Sequence, residues 1–160
     1  MIGKEDLISL FRKEFATTIR VMRTYPKDQM ELAPHERSQK AKRLMATFIF
    51  EMYLLRSYIF GEKVDRSVFQ QYAKETLDEL ITDFETETAV VIDHIQNLTE
   101  TDLTKTIQFG GATFTADRFA MMMLFDQVHH RGQLSVYVRL AGGKVPSIYG
   151  PSADDPSTNL

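Results

Sequence analysis

The sequence predicts an all-α protein, a four-helix bundle with a short hairpin-like excursion before the last helix. Three observations carry this expectation. Four segments of about 20 residues or more repeat their apolar side chains in threes and fours, the spacing of one buried helix face. Chain breakers fall between them at Pro26, Pro34, Gly61 and Gly110-Gly111, and Gly142-Gly143 stops the last. The stretch between the third and fourth segments is too short for a sheet of several strands. The 160 residues, 43% hydrophobic and 26% charged, suit one domain spanning 1–160 around a single core.

The first helix is expected over 4–24, with Leu7, Leu10, Phe11, Phe15, Thr18, Ile19 and Met22 facing inward. Tyr25-Pro26 ends it, because proline disfavours helical geometry in the residue before it. A polar linker with a solvated His35 follows. The second helix is expected over 38–60, with Ser38 as N-cap and Gly61 as C-cap. Its stripe of Leu44, Met45, Phe48, Met52, Leu55 and Ile59 reads as a bundle seam.

A connector over 62–72, with a turn at Val68-Phe69, leads to a third helix over 73–97. Thr76 and Glu79 have capping-box spacing and mark an alternative start. His94 lies beside the apolar stripe and is expected to be hydrogen-bonded. Residues 99–115, with Ile107, Phe109 and Phe114 around two glycines, read as the hairpin-like excursion. The fourth helix, 116–141, starts behind Thr115 as N-cap, and its Met121–Met123 run fills core. The tail, 144–160, holds three of the five prolines and reads as irregular chain draped over the bundle.

Composition narrows function. With no cysteine, a disulfide framework, a thiolate zinc site and a cysteine nucleophile are excluded. A net charge of −3 argues against nucleic-acid binding. Residues 1–61 are basic on balance (11 basic, 7 acidic) and 62–100 acidic (3 and 10), which reads as complementary helix faces. The opening MIGKEDLISLFRKEF is interrupted by charge, unlike a signal peptide, and no apolar run is long enough to span a membrane. A soluble, cytoplasmic protein with no membrane partner is the expectation.

The chemistry concentrates in Leu124–Leu134, LFDQVHHRGQL. Asp126 and His130 are four residues apart on a helix and share one face, so one helix can offer two ligands to one ion. His129 lies about 100° around the helix from His130 and serves a different surface. Gly132, in mid-helix, costs roughly 1 kcal/mol relative to alanine and predicts close approach of another group. Glu51 sits within the apolar stripe of the second helix, where a carboxylate needs a partner. It reads either as a ligand or as an ion pair with His130 or Arg131.

Residues 129–152, HHRGQLSVYVRLAGGKVPSIYGPS, resemble the C-terminal signature of the DinB-like (DinB/YfiT) family of metalloenzymes, four-helix bundles named for DNA-damage induction. The resemblance implies a homodimer and a divalent metal, such as zinc or nickel, held by three histidines, one on the second helix and two on the fourth. Carried over by position, the last ligand falls on His130 and the one before it on Asp126. The second-helix ligand falls on Phe48 or, with a slip, on Phe50, neither of which can bind a metal.

The sequence is therefore read as a family member with a degenerate metal site. It would bind no metal tightly and would serve as a bundle for a small ligand or a partner. The alternative is a divalent-metal-dependent enzyme resembling the family's thiol S-transferases, with a site rebuilt from Asp126, His130 and Glu51 and a thiol as cosubstrate.

Overall fold

The computed structural model describes residues 2–63, 67, 70, 72 and 75–157. Four long helices dominate: α1 (Lys4–Met22), α2 (Ala41–Phe60), α3 (Leu77–Gln96) and α5 (Ala116–Leu140). A single turn, α4 (Glu100–Leu103), and a hairpin of β1 (Thr106–Phe109) and β2 (Ala112–Thr115) precede α5. The helices α1 and α2 lie across a diagonal, each packed on both α3 and α5. The four-helix bundle expected from the apolar spacing is the observed architecture.

Local chemistry accounts for most boundaries. Gly61 closes α2 in the left-handed conformation at φ 73° and donates to the Arg56 and Ser57 carbonyls. Thr76 and Glu79 form the reciprocal capping box that opens α3. The hairpin turns through Gly110 and Gly111 at φ 57° and 81°. Two consecutive positive φ values match the strand twist and favour glycine.

Several expectations need correction. Ser38 does not cap α2, which starts at Ala41 behind Lys40 without a side-chain cap. The Ala41 and Lys42 N–H groups instead donate to the Leu32 and Met30 carbonyls, so the linker backbone caps the helix. Leu10 is partly exposed, at 37%, and Ile8 takes a buried position on α1. Gly132 has open space where a Cβ would stand, so none of the described residues approaches it there. The expected turn at Val68-Phe69 and helix start at Ala73 lie outside the described residues.

The core is one cluster of buried apolar side chains contributed by all four long helices. A chain of rings, Phe11–Phe15–Phe84–Phe48, crosses it from α1 through α3 to α2, with neighbouring centroids 5.0–5.8 Å apart. Residues 144–157 drape over one end. Asp154 accepts from the Val145 N–H and from Arg139, and Asp155 accepts from the Ser147 N–H. Among the described residues, no helix is long and apolar enough to cross a membrane.

Candidate metal centre

The packing of α2 against α5 sets the site. Gln127 is buried and donates Nε2 to the Phe48 carbonyl at 2.9 Å, tying the two helices together at this level. One turn further along α2, Glu51 projects toward α5, and its Oε1 lies 2.8 Å from His130 Nδ1. Asp126 Oδ1 is 4.0 Å from the same nitrogen. Candidate ligand atoms of Glu51, Asp126 and His130 all lie within 4.8 Å of one another. Donors bound to one first-row ion at about 2.0–2.2 Å stand up to about 4 Å apart, so this spread is near that of a bound set.

Burial grades across the cluster. The Glu51 side chain is 2% exposed, that of His130 15% and that of Asp126 46%, so the site opens to solvent on the Asp126 side. Burial, and after it the neighbouring Asp126 charge, pushes the Glu51 carboxyl well above its ordinary range. Glu51 Oε2 is buried and has no hydrogen-bond partner among the described residues. Two crowded carboxylates, an imidazole and an unsatisfied buried oxygen fit a divalent cation, which would neutralise the charge and take up the free oxygen.

The three residues named from the sequence are thus brought together. The aromatic residue expected at the second-helix ligand position is not what faces His130. Phe48 packs its ring on Phe84 within the core, and Glu51, three residues on, reaches the histidine. His129 turns away, is exposed and accepts a hydrogen bond from Gln133 at 3.0 Å. Arg131, offered as a partner for Glu51, pairs instead with Glu14 of α1 at 2.6 Å.

That pair belongs to a network the sequence reading missed. The Arg131 guanidinium is 2% exposed and also donates to the Glu14 carbonyl and to the Tyr149 hydroxyl. Tyr149 in turn donates to Glu14 Oε2 at 2.7 Å. The available signal was Glu14 itself, a carboxylate within the α1 stripe between Phe11 and Thr18. Its partner comes from α5, 117 residues away.

The fold and site define a four-helix bundle with a two-carboxylate, one-imidazole cluster between its second and last long helices. The chain belongs to the DinB family, whose sequence model matches residues 2–159. It is 26% identical over 145 residues to the uncharacterized protein YjoA of Bacillus subtilis (strain 168), covering 89% of this chain and 93% of that protein. It is also 39% identical over 57 residues to YrdA of the same organism, a match spanning 36% of this chain and only 34% of YrdA.

Solved structures share the fold, among them the following three. A DinB-like protein from Bacillus cereus superposes with a TM-score of 0.79 at 18% identity, covering 91% of this chain and 97% of that one. YfiT from Bacillus subtilis, described as a probable metal-dependent hydrolase with an unusual four-helix bundle topology, gives 0.68 at 9%, covering 89% and 91%. A mycothiol-dependent maleylpyruvate isomerase gives 0.67 at 15%, covering 83% of this chain and 61% of that one.

Proposed function

We propose that this chain is a divalent-metal-dependent enzyme that holds its ion with Glu51, Asp126 and His130. The observation that carries the reading is the convergence of three ligand groups within 4.8 Å around an unsatisfied buried carboxylate oxygen. The metal-dependent description of YfiT and the thiol dependence of the isomerase, both on this fold, support the reaction class. When bound, the ion supplies Lewis-acid activation of a small nucleophile, a water or a thiol.

The chain's own residues do the rest. Glu51 brings a buried carboxyl from α2, and the Gln127–Phe48 bond fixes its helix against α5. Asp126, at the solvent side, leaves the cluster open to a substrate. The cosubstrate must supply any thiol, because the chain has no cysteine. Elemental analysis of protein purified without a metal-affinity tag tests the reading. About one divalent ion per chain is expected, and its loss in both Glu51→Gln and Asp126→Asn.

A second reading has its own observation. The 2.8 Å Glu51–His130 contact satisfies the imidazole without an ion, so a metal-free bundle that binds a small ligand is self-consistent. Native protein devoid of metal, with no uptake on titration, would favour it.

A further inference from the structure

We infer that the α5 face bearing Arg118, Met122, Phe125 and Asp126 binds an organic anion with an apolar body, its acidic group at Arg118 and its other end at Asp126. The assignment of the reacting end rests on the metal reading above. Arg118, Met122 and Asp126 recur every four residues, and Phe125 lies beside Met122 three residues on, so all four share one side of the helix. Over eight residues of helix the two ends stand about 12 Å apart, the length of a compact bicyclic molecule with a substituent.

Two clefts meet on this face. One, of about 610 Å³, lies between Ile2, Phe114, Arg118 and Met121. The other, of about 430 Å³, is lined by Leu54, Phe109, Asp126 and His129, and Met122 and Phe125 border both. Volumes of this size with mostly apolar walls and a few polar groups are typical of small-molecule sites. Phe125 is 64% exposed at the junction, an apolar ring left largely uncovered by the described residues.

Charge selects the occupant. The exposed Arg118 guanidinium makes no hydrogen bond or ion pair among the described residues. Its neighbour Asp117, which also borders the larger cleft, is buried and already engaged by the Ile2 and Arg118 N–H groups and by the Thr115 hydroxyl. A carboxylate, sulfonate or phosphate on the ligand would therefore meet a cation with no competing partner.

Two dyes separate the two halves of the claim: anionic 8-anilinonaphthalene-1-sulfonate and neutral N-phenyl-1-naphthylamine, titrated by fluorescence in the presence of chelator. We expect saturable binding of one dye per chain. Arg118→Gln should weaken the sulfonate about tenfold and the neutral dye less than twofold. Phe125→Ser, at an exposed position, should weaken both. Unchanged sulfonate affinity in Arg118→Gln overturns the proposal. So does a dimer that dissociates in Phe125→Ser without change in dye binding, which would make this face an interface between copies. The assay is metal-free, so its failure and the failure of the metal reading are separately visible.

Discussion

Glu51 Oε1 and His130 Nδ1 lie 2.8 Å apart although 79 residues of chain separate them. The contact exists because α2 and α5 pack side by side, and it places a charged group where the α2 stripe otherwise holds apolar ones. A carboxylate in that position costs stability when ionised and unpaired, and it gains most from a cation.

The first prediction follows from that cost. The folded-state pKa of Glu51 is raised, so the native chain holds a proton that the unfolded chain releases at lower pH. The stability associated with this group is fully present below the ordinary glutamate range and is lost as pH rises through the raised value. In metal-free protein, Glu51→Gln should raise the melting temperature at pH 8 by several degrees, each kcal/mol being worth roughly 2–4 °C at this size. The gain should shrink toward pH 4. Thermal melts across that range read it directly, and a variant less stable at pH 8 would contradict it.

Arg131 gives a second. Removing one partner of a buried pair leaves the other charge stranded, at a cost of about 3–5 kcal/mol. Arg131→Met should therefore destabilise strongly in urea melts, and adding Glu14→Leu should recover most of the loss. If the double variant is no better than the single, the Glu14–Arg131 pair is not the reason Arg131 is buried.

Much of this was legible in the sequence, and the exceptions share a cause. Gly61, the Thr76–Glu79 box and the paired glycines are written in local chemistry and the structure carries them as read, while the four helices stand where expected with α2 starting three residues later, at Ala41. Asp126 and His130 were visible because four-residue spacing puts them on one face. What the sequence could not resolve depends on which side of α2 or α1 meets α5. Glu51 rather than Phe48 faces His130, and Glu14 rather than Glu51 takes Arg131. Both are long-range outcomes of helix rotation, to which a single-helix pattern is blind by a turn.

Gly132 supplies a third prediction because the close neighbour it foretold is not there. It is exposed, within α5, and free of contacts with the described residues at the Cβ position. Gly132→Ala should stabilise the chain by about 0.5–1 kcal/mol through helix propensity alone. A loss in denaturant melts would mean that a group outside this chain, such as a second copy, approaches there.

The metal site is tested most directly by calorimetric titration of chelator-stripped protein with zinc and with nickel, alongside His130→Ala and His129→Ala. The account predicts one tight site per chain in the unmodified protein and in His129→Ala, and its loss in His130→Ala. It also predicts that binding releases protons at pH values below the raised Glu51 range, because a protonated Glu51 carboxyl must give up its proton to ligate. No saturable uptake of either ion, or equal affinity in the two histidine variants, would contradict it.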